Sequence, residues 1–410
     1  MSEDVEAIRG SLSGLLKGKR IVLVVTGSVS IYRIPDVARG LIRHGAFVEV
    51  FMSRTASRLL NPLIMHWATG VKPLVELSGY TEHVSLCANS DAIVVAPATA
   101  NLIGKVASGV SDSPASLCLT VAIGAGKPIL MVPAMNINMW VNPIVRSNVE
   151  KLRNLGVKFL EPIIEEGKAK IPPTDEIIES TIDLTSPRNM SGLRVLVTSG
   201  PTREYIDDVK YVTTPSSGLT GYYIAREAAA RGAEVYVVSG PVNVKYPNGV
   251  NVINVNGVVD MRNAVVEVLK SRRIHIAVFA AAPLDFYVGN RVSGKLSSDV
   301  DKVEVTLIKA PKIINEAKAA SPSTIIVGYK AEVNVNEDEL LKRALRRMSE
   351  GSWDIVAAHD VSKLGFGTMN DVYYVVNRDG SYVKIGPAHK RELARIILDK
   401  ALSMLKLNEK

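Results

Sequence analysis

The chain has 410 residues and a formal net charge of +8, with 47% hydrophobic, 22% charged and only 5% aromatic residues. That length predicts about two domains of roughly 150–200 residues each, and so large an apolar fraction excludes a disordered chain. The basic excess is scattered: Lys342-Arg343, Arg346-Arg347 and Arg272-Arg273 are brief and suit solvated helix faces. Nucleic acid needs a basic stripe interleaved with aromatics and is therefore not expected; small anionic ligands are.

Cys87 and Cys118 have no metal-type spacing, and two unpatterned cysteines predict a reducing compartment. The acidic, polar stretch 1–10 is not a secretory signal. The apolar region 117–135 is broken by Gly124, Gly126, Lys127 and Pro128, so it predicts no membrane span. These features together predict a soluble, cytoplasmic protein.

In chain order, 21–25 reads as a buried strand ending at Thr26-Gly27-Ser28. Ile34, Val37, Ala38, Leu41 and Ile42 then share one helical face. Strands follow at 47–52, 92–96, 129–132 and 157–160, with helices at 113–125 and 142–155. Repeated strand–helix units of β-branched and small residues predict an α/β protein with doubly wound parallel sheets. Between Thr181 and Gly192 the pattern dissolves into Ser, Thr, Pro, Asn and Gly, which predicts the interdomain linker. The scheme restarts with strands at 195–198, 234–238, 276–280, 303–308, 325–329, 355–358 and 372–376. Helices are expected at 219–231, 258–272 and 387–405. Domains 1–190 and 191–410 are the result.

Several strand ends carry chemistry. Backbone N–H groups and a hydroxyl at Thr26-Gly27-Ser28 can hold a phosphate before a helix, or form a plain tight turn. No Gly-x-Gly-x-x-Gly occurs, and Gly124-Ala125-Gly126-Lys127-Pro128 runs into a strand, so it is no P-loop. Pro97-Ala98-Thr99-Ala100-Asn101 lets a flat ligand approach the backbone, or caps a helix through Thr99 or Asn101. If Thr81 caps a helix, His83 lies near its positive end, where neutral imidazole is favoured; an ordinary structural histidine is the alternative. The other five histidines have no comparable setting. Pro133-Ala134-Met135-Asn136-Ile137-Asn138-Met139-Trp140 follows a strand where open α/β sheets bind ligands. In the second half, Ala281 and Asp285 follow a strand, Lys295 lies beyond them, and Pro215-Ser216-Ser217-Gly218 precedes a helix. That set suits a nucleoside triphosphate, while each piece alone suits a solvated loop.

Taken together, these motifs resemble the bifunctional phosphopantothenoylcysteine decarboxylase / phosphopantothenate–cysteine ligase family of coenzyme A biosynthesis. The resemblance spans about Gly18 to Leu405. It rests first on Thr26-Gly27-Ser28, Glu82-His83-Val84, 96–101 and 133–140. It rests further on 198–204, Ser216-Ser217-Gly218, 232–235, Val327-Gly328-Tyr329 and Gly365-Phe366-Gly367.

The resemblance implies a flavodoxin-like FMN decarboxylase followed by a Rossmann-like ligase that activates 4′-phosphopantothenate with CTP and Mg2+ before L-cysteine attacks. His83 matches the active-site histidine, and Asn136 the asparagine holding the substrate carboxylate. The implied FMN contacts are Gly27, Ser28, Ser53, Thr55, Pro97, Ala98, Thr99, Asn101 and Met135. On the ligase side they are Gly200, Ser217, Gly218, Ala281, Asp285 and Tyr329 for the nucleotide, with Lys295 facing the triphosphate. Metal ligands are not assigned. The resemblance also implies a homo-oligomer, with trimeric decarboxylase contacts and dimeric ligase contacts.

The chain departs from the family pattern in two places. The flap region 165–173 lacks the family's proton-donating cysteine, leaving Lys168, Lys170 or water. Thr214 and Leu219 stand where an asparagine and a lysine are expected, which bears on ligase rate and on CTP against ATP. Arg346 or Arg347 replaces a nucleotide-contacting lysine. The alternatives are an FMN-binding protein with an impaired ligase half, or a regulatory binding partner; a nicotinamide oxidoreductase is disfavoured by the missing fingerprint.

Overall fold

Five parallel strands cross the first half of the chain in the spatial order Phe47–Met52, Arg20–Val25, Ala92–Ala98, Ile129–Pro133 and Lys158–Phe159. The computed structural model describes residues 3–299, 301–351, 353–364 and 367–408, and the chain divides into two units, Met1–Ser186 and Pro187–Lys410. The first strand lies between the second and third, so the order in which strands are added reverses there, beyond Val25 and Ala98. That is the switch point of a flavodoxin-like sheet, and it opens a crevice at the carboxyl ends of those strands. All seven residues of Ala92–Ala98 are buried.

The helices follow from local chemistry. Ile34–Arg43 buries Ile34, Val37, Ala38, Leu41 and Ile42, the face that the spacing predicts. Pro114–Gly124 starts at a capping box in which Ser113 and Ser116 satisfy each other's backbone N–H. Asn142 caps Pro143–Asn154 by accepting from the Ile144 N–H at 2.9 Å.

The second unit holds an eight-stranded sheet. Its order is Asn251–Asn254, Glu234–Ser239, Arg194–Ser199, Ile276–Phe279, Ile325–Glu332, Ile355–Asp360, Asn370–Asn377 and Tyr382–His389. The first six are parallel, in the Rossmann arrangement, and the last two are added through antiparallel pairings. Helix Lys390–Asn408 packs on Leu219–Ala230 around a buried ionic group. Glu227, fully buried, accepts from Arg391 Nε at 3.1 Å and Arg395 Nε at 2.7 Å.

Several expectations need correction. Helix Thr174–Thr185 occupies the start of the stretch expected to be linker. The expected helix 387–405 starts at Lys390, because 382–389 is a strand at the sheet edge, where Pro387 falls in an irregularity of the register. In place of the expected strand 303–308 there is a shorter one, Leu307–Lys309. The flap residues form a hairpin, Ile163–Glu165 with Lys168–Lys170, paired to Met135–Asn136. Cys87 and Cys118 are joined in a disulfide, so the two thiols do not mark a reducing compartment. Gly365 and Phe366 lie outside the described residues.

Candidate active sites

The first crevice is built on Thr26. Its hydroxyl donates to the Pro97 carbonyl at 2.6 Å and accepts from the Thr99 N–H at 3.2 Å. This pair of bonds ties the turn after the first strand to the end of the third. Gly27 admits no side chain: a Cβ there would lie 2.4 Å from Thr55 Cγ2 and 2.7 Å from Thr55 Cβ. Ser53 caps the helix Arg54–Leu59 through the Ala56 N–H, and Thr99 caps Ala100–Ala107 through the Leu102 N–H.

Gly27, Ser53, Thr55, Thr99 and Asn101 thereby line one cleft of about 820 Å³, with the Lys105–Asp112 ion pair on its rim. Pro97 and Ala98 lie buried in the strand behind it rather than on its surface. Ser28 and Met135 also stand off the lining, Ser28 at the start of the turn Val29–Arg33 and Met135 opposite Ala169 of the flap hairpin.

His83 lies in the first turn of a helix and Asn136 just beyond a strand, each where the sequence puts it. Thr81 stands at the N-cap of helix Glu82–Ala88 with φ of 52° and makes no side-chain cap bond. The Nδ1 atom of His83 is buried and finds no hydrogen-bond partner among the described residues. Neither His83 nor Asn136 lines the 820 Å³ cleft. The disulfide ties the His83 helix at Cys87 to Pro114–Gly124, whose first turn does line it. Asn136 caps the short helix Ile137–Trp140, accepting at Oδ1 from the Asn138 N–H at 2.9 Å, so its amide N–H groups are left to donate. Trp140 is buried, with Arg146 4.8 Å over its ring. In the flap, Lys170 is held by Glu165 and Glu166, whereas Lys168 lies opposite Asn136.

The second site lies beyond the carboxyl ends of the Rossmann strands and has two lobes sharing Ala281, Ala282, Tyr329 and Ala331. The larger, about 340 Å³, gathers Ala281, Asp285 and Tyr329 with three cations that the sequence reading passed over or left open, Lys312, Lys330 and Arg347. Asp285 is paired with Lys312. Arg347 faces the cavity, while Arg346 points to solvent and pairs with Glu350 at 2.7 Å. Gly328 lies under Trp353, where a Cβ would come within 2.1 Å of the indole ring that walls this lobe.

The smaller lobe, about 120 Å³, is lined by Ser217, Gly218 and Leu219 on one side and by His359, Asp371, Tyr373 and Lys390 on the other. Burial pushes the Tyr329 phenol well above its ordinary value, with Tyr373 and Asp371 adding to the shift. Burial works against the Asp371 carboxylate, yet the hydrogen bond and charge of His359 and the charge of Lys390 bring it below the usual range.

Gly200, Thr214 and Lys295 line neither lobe. Gly200 instead bonds the Ala282 N–H at 2.9 Å and so frames the wall. Lys295 is exposed on a loop whose Gly294 and Leu296 N–H groups bond Asp208 and Asp207 at 2.7 and 3.0 Å. Lys330, directly after Tyr329 at a strand's carboxyl end, could have been found by the strand-end argument used for Asp285. Lys312 and His359 needed the tertiary fold.

These features define a two-unit α/β enzyme with a ligand crevice at the strand ends of each sheet. A flavoprotein family model matches residues 9–186, and a model of the DNA/pantothenate metabolism flavoprotein C-terminal domain matches residues 190–405. Coenzyme A biosynthesis bifunctional protein CoaBC of Thermococcus kodakarensis is 40% identical over 410 residues, covering 99% of this chain and 100% of that one. Its counterpart in Methanocaldococcus jannaschii is 30% identical over 97% of each chain. A crystal structure of the C-terminal domain of a CoaBC protein covers 53% of this chain and 98% of its own, at 27% identity and a TM-score of 0.45. The chain belongs to the CoaBC family of bifunctional coenzyme A biosynthesis enzymes, with a flavoprotein decarboxylase domain and a ligase domain.

Proposed function

We propose that residues 191–410 join 4′-phosphopantothenate to L-cysteine through an acyl-cytidylate made from CTP. Residues 1–190 then convert the product, 4′-phospho-N-pantothenoylcysteine, to 4′-phosphopantetheine with FMN. The observation that carries this reading is the full-length match to both relatives. The convergence of Gly27, Ser53, Thr55, Thr99 and Asn101 on one cleft supports it further.

The residues present fit FMN. Gly27 lets the turn close against Thr55, where any side chain would clash, and the backbone N–H groups of such a strand-to-helix turn suit a phosphate. Ser53 and Thr55 add hydroxyls there, and Thr99 and Asn101 offer hydrogen bonds to a ring edge. FMN, when bound, supplies two-electron redox chemistry at the substrate thiol. His83, with an unsatisfied buried Nδ1, acts as base or orienter. Asn136 presents its amide to the substrate carboxylate; a neutral donor does not pair its charge with a cation, so departure of CO2 is not penalised. Lys168, opposite Asn136, takes over the proton delivery of the absent flap cysteine.

In the ligase half, Asp285 and Tyr329 border the cytosine. Lys312, Lys330 and Arg347 face the triphosphate, which enters as its Mg2+ complex, with Lys295 brought in by its loop. We place the enzyme in the cytoplasm as a homo-oligomer. Exposed Val29, Tyr32, Leu63 and Trp67 suit trimeric contacts of the first unit, and Val209, Tyr211 and Val212 dimeric contacts of the second.

The test supplies 4′-phosphopantothenate, cysteine and CTP and follows phosphopantetheine, together with flavin absorbance near ~450 nm in the purified protein. CO2 release from 4′-phospho-N-pantothenoylcysteine without pyrophosphate release from CTP would mark an impaired ligase half.

A further inference from the structure

We propose that His359 is the general base that takes the proton from the incoming amine during acyl transfer, held in that role by Asp371. The inference rests on the ligase reading above. His359 stands at the carboxyl end of the strand Ile355–Asp360, with Nδ1 3.2 Å from Asp371 Oδ2. An ionised carboxylate only accepts, so Nδ1 carries a proton, and in the neutral form of the ring Nε2 is the acceptor. Asp371 is 3% exposed and fixed by the Val372 N–H at 2.9 Å. A buried carboxylate orienting an imidazole is the arrangement that makes histidine an efficient base.

The other groups around the imidazole do not compete for this role. From the C-terminal helix, Lys390 donates to the Thr368 carbonyl at 2.6 Å and stands 3.6 Å from Asp371. Tyr373, from the neighbouring strand, has its ring centroid 4.8 Å from that of His359, and burial pushes its phenol up, as it does that of Tyr329. Both phenols stay neutral at physiological pH.

Location supplies the second argument. The dyad lines the smaller lobe, which shares the Ala281, Ala282 and Tyr329 wall with the lobe assigned to the nucleotide. A carbonyl activated in the larger lobe therefore lies beside the lobe that holds the imidazole. Cysteine arrives as an ammonium ion and cannot attack until it loses a proton. That proton passes to Nε2, and the freed nitrogen pair forms the C–N bond. The C–O bond to phosphate breaks, cytidine monophosphate leaves with its electrons, and the departing phosphate oxygen takes the second proton from the new amide nitrogen. The imidazolium then returns the proton to solvent, and no redox partner is required.

The test uses the full chain with His359→Gln and, separately, Asp371→Asn, whose shape is conserved. Pyrophosphate release from CTP and 4′-phosphopantothenate is measured in a single turnover, followed by acyl transfer to cysteine or to hydroxylamine, an amine already unprotonated at neutral pH. Both variants should keep pyrophosphate release and transfer to hydroxylamine. Transfer to cysteine should fall about 10²–10⁴-fold, and its rate should lose the acidic limb of its pH profile. Undiminished transfer to cysteine, equal loss with both amines, or matching loss of pyrophosphate release overturns the assignment. Absence of pyrophosphate release in the wild type instead removes the ligase reading, and the inference with it.

Discussion

Reduction of the Cys87–Cys118 bridge should destabilise the first unit and leave the second untouched. The bridge closes a sequence separation of 31 residues. In the loop-entropy description, a closure of that length removes roughly 12 cal/mol/K from the unfolded chain, or about 4 kcal/mol at 25 °C. The first unit spans Met1–Ser186, and for domains of that size each kcal/mol moves the midpoint by about 2–4 °C. A fall of roughly 8–15 °C is therefore expected on reduction. Scanning calorimetry of the full chain, with and without a phosphine reductant, reads it directly. The second unit contains no cysteine, so its transition is an internal control. Cys118→Ser should reproduce the shift without reductant. A first transition that stays in place, or two transitions that move together, would refute the reasoning, as would two titratable thiols in the untreated native protein.

Other predictions concern single groups. His83→Asn should retain the flavin and abolish CO2 release; full decarboxylation by that variant removes His83 from the mechanism. Lys312→Gln should weaken CTP-dependent pyrophosphate release more than Lys295→Gln does, because Lys312 lines the lobe proposed for the nucleotide and Lys295 does not; the reverse order would return that role to Lys295. His389 is pulled down to about 4 by burial and then by Arg391 and Lys390. The unfolded chain therefore binds the extra proton first, and this contribution, complete above about pH 6.5, is lost as pH falls to 4, to the extent of about 3 kcal/mol. A second-unit stability flat across that window in wild type and His389→Asn alike would contradict it. Glu227→Ala leaves Arg391 buried without its carboxylate and should cost about 3–5 kcal/mol in urea unfolding; a change below about 1 kcal/mol would show that the group is hydrated.

Much of the architecture was readable because parallel strands buried on both faces must be short apolar runs. The runs around Leu23, Val94, Val197 and Val278 are of that kind, and both doubly wound sheets follow from them. Elements outside that logic were missed. The flap strands are charged and largely exposed, with no alternation around Glu165, Glu166, Lys168 and Lys170. The strand Tyr382–His389 gains its identity from its partner Asn370–Asn377, not from its own sequence. At the sites, residues next to strand ends were legible, as Gly27, Thr99, Asp285 and Tyr329 illustrate. His359 was not, because its partners Asp371 and Lys390 come from an antiparallel return and from the C-terminal helix. A histidine beside an aspartate in sequence carries no sign that a different aspartate, folded back from further along, orients it. The bridge between Cys87 and Cys118 was equally hidden, since it depends on how two helices meet on one face of the sheet.

The sharing of Ala281 and Ala282 by the two lobes has a kinetic consequence under the proposed ligase reaction. A mixed anhydride is perishable in water, and any journey between separate compartments would expose it to hydrolysis. With the two lobes sharing these lining residues, the proposed ligase reaction would keep the activated acyl group where it was made and bring the amine to it. Selectivity then becomes a race at a single carbon between two nucleophiles, and the width of the smaller lobe sets the odds. Enlarging it should raise the share of nucleotide spent without product, a leak that steady-state product assays alone would not reveal.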